Sequence, residues 1–116
     1  MVNLGGATEN DRKKIVITKD SKAFFHNNVD YCVGTGRMGL ALTEEYQEEL
    51  RLVQKEIGFK HIRGHGLFCD DMAIFQTYEE DGKVRVEYNY TYLDRVMDAY
   101  KKVGLRPFLE LGFMPK

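Results

Sequence analysis

A short pattern occurs twice in this chain, and the repeat constrains the fold more than any other feature of the sequence. A charged segment leads into a glycine and then into a short apolar run in residues 55–64 (KEIGFKHIRG) and again in residues 101–110 (KKVGLRPFLE). Glycine suits the left-handed position that ends a helix, and a short apolar run is typical of a buried strand. Helix, glycine and strand in this order predict a repeating β/α architecture of the α/β class.

The repeat also predicts that the chain is one part of a larger fold. Architectures of this kind close only after many units, whereas the 116 residues provide two β/α units and the strand of a third. We expect residues 31–116 to form one incomplete piece of a larger β/α fold, whose third strand has an unpaired apolar edge. We expect residues 1–30 to form a leader with a short accessory strand at residues 15–18 (IVIT).

Hydrophobic periodicity and turn residues predict the individual elements. Thr43 is expected to cap a helix that ends at Gly58, and Thr91 with Asp94 resembles the capping box of a second helix that ends at Gly104. An Asp-Gly pair between two extended runs predicts a hairpin inserted between the two units. The predicted core strands are residues 31–34, 59–63 and 107–113, the hairpin strands are residues 73–78 and 83–88, and a glycine loop is expected at residues 34–39.

Composition and charge exclude several classes of function. The formal net charge of −1 gives no attraction to nucleic acid or to an anionic membrane, and no apolar stretch approaches the ~20 residues of a membrane span. The first eleven residues lack the apolar centre of a secretory signal, so we expect a cytoplasmic protein with no nucleic-acid or membrane partner. Cys32 and Cys69 are expected to be reduced thiols, with a disulfide or a metal pair as alternatives. No paired histidine spacing predicts zinc, and we expect no cofactor.

Barrels of β/α units place functional residues at the carboxyl ends of their strands and in the loops that follow. Arg63 could hold a carboxylate through two parallel hydrogen bonds, and His65 could donate to a ligand hydroxyl or shuttle a proton. The alternative is a structural ion pair for Arg63 and a satisfied core histidine at position 65. Glu110 lies in a predicted apolar strand, so it must be paired, and Arg63 is a possible partner. The rule selects three segments, which are residues 34–37, 63–71 and 110–114.

Further carboxylates and apolar side chains complete the candidates. Asp70 and Asp71 are expected in an exposed turn, with contacts to sugar hydroxyls as the functional alternative. Adjacent residues of an extended strand point to opposite faces, so this pair is poorly suited to acid/base catalysis. Phe113 and Met114 form either an apolar wall beside a ligand or part of the core.

Four blocks of the sequence, in this order and spacing, resemble the amino-terminal part of glycoside hydrolase family 39. The blocks are residues 31–37 (YCVGTGR), 62–67 (IRGHGL), 88–94 (YNYTYLD) and 110–116 (ELGFMPK). The similarity is stronger to the bacterial β-xylosidases of the family than to its α-L-iduronidases. The resemblance implies a partial (β/α)8 TIM barrel from an enzyme that releases xylose from xylo-oligosaccharides with retention of configuration.

The resemblance also implies roles for residues at the strand ends. In this family the acid/base glutamate follows strand four and the nucleophilic glutamate lies on strand seven, so no catalytic residue is expected in this chain. Arg63 matches the arginine that orients the nucleophile and keeps it ionised. His65 matches a histidine that hydrogen-bonds the sugar hydroxyls. Gly66, Phe113 and Met114 match the floor and wall of the glycone pocket, the pocket for the sugar that is released.

Three hypotheses for the function remain. The first is an amino-terminal fragment of a retaining β-xylosidase that supplies part of the glycone pocket and is inactive alone. The second is an assembly module that hides its open edge by forming a homo-oligomer or by complementing another chain. The third is an independent sugar-binding domain, which needs a closed core that two helices and three core strands supply poorly. The expected partners are a xylo-oligosaccharide or related glycoside and the remainder of the barrel, in the same or a complementing chain.

Overall fold

The computed structural model of the chain describes residues 12–20 and 23–115, and its elements follow the expected β/α order. In chain order they are β1 (Cys32–Arg37), α1 (Glu44–Glu56), β2 (His61–His65), β3 (Phe75–Glu80), β4 (Lys83–Tyr88), α2 (Thr91–Lys102) and β5 (Arg106–Leu109). Short 3₁₀ helices follow β1 at Met38–Leu42 and β2 at Asp70–Met72. Strands β1, β2 and β5 form a parallel sheet in the order β1-β2-β5, and β3 pairs antiparallel with β4. The predicted α/β class and the inserted hairpin are confirmed.

Both ends of α1 lie where the sequence predicts them. Thr43 caps the helix, because its Oγ1 accepts a hydrogen bond from the Tyr46 backbone N–H at 3.4 Å. Two glutamates in the first turn suit the positive end of the helix dipole. Gly58 after α1 and Gly104 after α2 have φ angles of 73° and 76°, which is the left-handed conformation that the repeated pattern predicts.

The predicted capping box at the start of α2 is wrong. Thr91 is the first helical residue, and the cap position belongs to Tyr90, which makes no side-chain capping bond. The amide of Asn89 replaces the expected cap, since its Oδ1 accepts from the Thr91 backbone N–H at 2.9 Å. The Asp94 backbone N–H then donates to the Tyr90 carbonyl at 2.8 Å, and the Asx turn of Asn89 leads directly into the helix.

The helices cover one face of the parallel sheet. Ile62 of β2 is 1% exposed and belongs to a buried cluster with Leu50 of α1 and with Val96 and Tyr100 of α2. On β5, by contrast, Phe108 is 55% exposed. Parallel sheets normally have both faces covered. The described residues therefore leave one face of this sheet, here called the open face, accessible to solvent.

Tyr100 brings a polar atom into the core. Its side chain is 1% exposed, and its hydroxyl has no hydrogen-bond partner among residues 12–20 and 23–115. Burial, with a smaller effect of the neighbouring Tyr46, raises the pKa of the Tyr100 phenol above its ordinary value. Deprotonation of this phenol therefore disfavours the folded chain.

Three predictions about strands need correction. No strand forms at residues 15–18 in the described structure, where Ile15 and Ile17 are 86% and 93% exposed, because β-branched residues favour a strand only when a neighbouring strand packs beside them. Residues 34–37 extend β1 instead of forming a loop, since Gly34 and Arg37 pair with Arg63 and His65 of β2. The third core strand ends at Leu109, where its pairing with β2 ends. Residues 1–11 of the expected leader lie outside the described residues.

Candidate functional site

Strand β2 places alternate side chains on the two faces of the sheet. Ile62 and Gly64 are buried toward the helices, whereas Arg63 is exposed and His65 is half-buried on the open face. Close packing requires glycine at position 64, because a Cβ there would lie 2.8 Å from Cγ of Met38. Two of the predicted site residues therefore share the open face near its carboxyl end.

Arg63 is paired with a carboxylate that follows the neighbouring strand. Its Nη2 donates to Oε2 of Glu110 at 2.7 Å, which confirms the expected partner, although Glu110 lies just beyond β5 instead of within it. The two side chains are 58% and 31% exposed, so solvent screens their attraction and the pair contributes little to stability. A guanidinium has five N–H donors, and this contact leaves donors for a second carboxylate.

His65 contacts an aromatic ring from the segment after β5. The ring centroids of His65 and Phe113 are 5.7 Å apart, and the ring planes are tilted by 46°. Phe113 has a φ angle of 58°, which is uncommon for a residue with a Cβ. Gly66 follows His65 with a φ angle of 76°, and a Cβ there would lie 3.1 Å from Sγ of Cys69. The structure thus brings His65, Gly66 and Phe113 together at one edge of the sheet.

A second cluster lies beside His65, and the sequence did not predict it as a unit. Arg37, the last residue of β1, is the register partner of His65. Its Nη2 donates to Oδ2 of Asp71 at 3.1 Å, so the expected exposed turn contains an ion pair between two half-exposed side chains. A cavity of about 290 Å³ lies against this pair, and its wall includes Phe113 and Met114.

Met114 also borders a larger, apolar groove of about 470 Å³ beside the hairpin. At the base of the hairpin, Phe75 and Tyr88 are register partners with ring centroids 5.7 Å apart. The hairpin therefore extends the apolar surface that Phe113 and Met114 begin at the strand ends. The groove is lined by Phe68, Ile74, Phe75, Tyr88, Tyr90, Met114 and Pro115.

Both cysteines of the chain lie among the described residues. Cys32 and Cys69 are free thiols and are partly buried. Among the described residues, no group of three His, Cys, Asp or Glu side chains could hold a metal ion. The same part of the chain contains no helix long and apolar enough to cross a membrane.

Comparison with known proteins establishes the family. The family model described as "Glycosyl hydrolases family 39" matches residues 13–116. The chain belongs to glycosyl hydrolase family 39. Among curated relatives, a β-xylosidase of Geobacillus stearothermophilus is 49% identical over 104 residues, which are 90% of this chain and 21% of the relative. A β-xylosidase of Caldicellulosiruptor saccharolyticus is 35% identical over 86 residues, 73% of this chain and 17% of that protein.

Solved family-39 structures have a similar fold. A family-39 β-xylosidase from Caulobacter crescentus aligns with a TM-score of 0.67 at 34% identity, over 75% of this chain and 19% of that chain. The family-39 enzyme from Xanthomonas axonopodis pv. citri aligns with a TM-score of 0.65 at 37% identity, over 75% of this chain and 16% of that chain. The family resemblance of the four sequence blocks is confirmed, and the chain spans about a fifth of the length of these relatives.

Proposed function

We propose that this chain is the amino-terminal portion of the barrel of a retaining β-xylosidase and supplies part of its glycone pocket. The observation on which the proposal rests is the alternation along β2, which puts Arg63 and His65 on the open face while Ile62 and Gly64 pack against the helices. In a closed barrel the open face becomes the interior, and the carboxyl ends of the strands border the active site. The β-xylosidase relatives, at 49% and 35% identity, support the choice of substrate class.

Each residue of the proposed pocket has a distinct role. Arg63, anchored at one nitrogen by Glu110, uses its remaining donors to orient the nucleophilic carboxylate and keep it ionised. His65, held against Phe113, hydrogen-bonds a sugar hydroxyl. Phe113 and Met114 form the apolar wall beside the sugar ring. A retaining glycosidase needs two carboxyl groups ~5–5.5 Å apart across the scissile bond, and both belong to the remainder of the barrel.

A segment exchange tests this proposal. Residues 13–116 of this chain replace the matched segment of the Geobacillus stearothermophilus β-xylosidase, and hydrolysis of 4-nitrophenyl β-D-xyloside is measured for the chimera and for the isolated chain. We expect turnover by the chimera and none by the isolated chain. A folded chimera without turnover, or turnover by the isolated chain, contradicts the proposal.

Two histidines on one strand provide a matched comparison within the chimera. His61 and His65 lie on the same face of β2, but His61 is at the amino end, where its Nδ1 lies 3.1 Å from the Tyr31 carbonyl oxygen. His65→Ala should lower kcat/KM about tenfold or more, the effect of one lost hydrogen bond of ~1.4 kcal/mol. His61→Ala should leave kcat/KM within about twofold. Equal effects of the two changes would assign a structural role to both.

An assembly role is the second candidate function. Leu111 and Phe113, which follow β5, are 73% and 58% exposed, and Phe108 on β5 is also exposed. Exposed apolar surface next to a strand edge favours association. The partner is then a second copy of this chain or a complementing part of the barrel. Light scattering on the purified chain tests this role, for which an oligomer is expected and a monodisperse monomer is the contrary result.

A further inference from the structure

We propose that Arg37 and Asp71, with Phe113, form a second sugar subsite that binds the hydroxyls of the leaving xylose unit of a xylo-oligosaccharide. This inference rests on the proposed function, since it assumes that the glycone lies at Arg63 and His65. It assigns a task to an ion pair that the glycone pocket does not use.

The irregular register of β1 places Arg37 at the site. Gly34 pairs with Arg63, and two positions later a regular parallel ladder would pair Gly36 with His65. Instead Arg37 pairs with His65, so β1 contains one extra residue between these two points. Bulges of this kind re-aim side chains and are frequent next to active sites. The bulge makes Arg37 the register partner of the histidine of the proposed glycone pocket.

A glycine lies close to each member of the ion pair, and the approach is tight at Asp71. A Cβ at Gly66 would lie 4.0 Å from Nε of Arg37, and a Cβ at Gly39 would lie 3.3 Å from Oδ2 of Asp71. The pair joins the end of β1 to the segment after β2 at 3.1 Å, but its side chains are 55% and 48% exposed. A screened pair of this kind contributes little to stability.

The chemistry of the cavity fits a sugar ring. A hydroxyl both donates and accepts, so one sugar can donate to the Asp71 carboxylate and accept from the Arg37 guanidinium. Phe113 and Met114 provide an apolar wall for the C–H face of the ring, and the cavity that they line has a volume of about 290 Å³. Phe113 contacts the His65 ring and borders this cavity, so it joins the two subsites.

Substrate comparison in the chimera separates a sugar subsite from a structural ion pair. Xylobiose has a second sugar ring with hydroxyls, whereas the nitrophenyl group of 4-nitrophenyl β-D-xyloside has none. We expect Arg37→Met and Asp71→Asn each to lower kcat/KM for xylobiose about tenfold and to change it less than about twofold for the nitrophenyl substrate. Arg37→Lys, which keeps the charge but not the planar fork, should give a smaller loss for xylobiose.

A matched control uses another half-exposed ion pair. Arg51 lies 4.0 Å from Glu48 on α1 and is 54% exposed. Arg51→Met should leave kcat/KM unchanged for both substrates. Equal losses of kcat/KM for both substrates with Arg37→Met and Asp71→Asn would show that the ion pair is structural. No loss of kcat/KM for either substrate would show that the pair has no role in binding. Both results overturn the proposed subsite. If Arg37→Met fails to fold, as judged by circular dichroism, the comparison is made with Arg37→Lys and Asp71→Asn. Loss of nitrophenyl turnover in the unsubstituted chimera, instead, refutes the proposed function.

Discussion

Gly64→Ala tests the packing that orients β2. Gly64 is buried between the strand and the 3₁₀ helix after β1, and an added Cβ would lie 2.8 Å from Cγ of Met38, 3.2 Å from Cγ2 of Thr35 and 3.5 Å from the Gly36 carbonyl oxygen. Met38 is 1% exposed, so it cannot move aside into solvent. Overpacking of this kind costs about 1–3 kcal/mol. With a urea m-value of about 1–3 kcal/mol/M, the unfolding midpoint should fall by about 1 M.

Urea unfolding of the chain, followed by far-UV circular dichroism, measures this change. Gly34→Ala is the matched control, because Gly34 lies on the adjacent strand and its added Cβ meets nothing within 4 Å. It should be neutral or stabilise by about 0.4–1 kcal/mol, since alanine restricts the unfolded chain. In a Met38→Ala background, Gly64→Ala should cost at least about 1 kcal/mol less. Equal midpoints for the two glycine variants, or an undiminished cost in the Met38→Ala background, would refute the packing argument.

Two further substitutions probe α1 and the core. Thr43→Ala removes the Oγ1 that accepts from the Tyr46 backbone N–H and should destabilise the chain by about 1 kcal/mol in urea unfolding, whereas Thr43→Ser keeps the cap; equal loss with serine would contradict capping. Tyr100→Phe removes a buried hydroxyl without a described partner and should not lower stability at pH 7. Burial raises the pKa of Tyr100 in the folded chain, so the contribution of the neutral Tyr100 side chain to stability is lost as pH rises above about 10. Thermal unfolding should show this loss in the parent and less of it in Tyr100→Phe, and identical pH profiles would contradict it.

Local signals in the sequence were enough to locate the helices and the repeat. Thr43 and the glycines at positions 58 and 104 act within one turn of the chain, so their effect does not depend on distant residues. The same logic failed at Thr91, where the Asn89 side chain two residues earlier satisfies the helix start. It also failed at residues 15–18, because a β-branched run forms a strand only with a partner, and none of the described strands pairs with it.

The candidate site was predicted in part. The rule for strand ends selected Arg63, His65 and Phe113, and the expected pair of Arg63 with Glu110 is present. The link between Arg37 and His65 could not be predicted, since it depends on a one-residue irregularity in the register of β1. The glycines before Arg37 were the only sequence signal for that irregularity, and a loop explained them equally well.

The sequence by itself determined the α/β class, both ends of α1, the glycine that ends α2 and the family, because periodicity, capping residues and the four family blocks are properties of neighbouring positions along the chain. Only the tertiary structure decided which face of the sheet stays open and which side chains come into contact at the strand ends. Those features depend on strand register and on the burial of side chains by distant helices, and both arise from contacts between residues far apart in sequence.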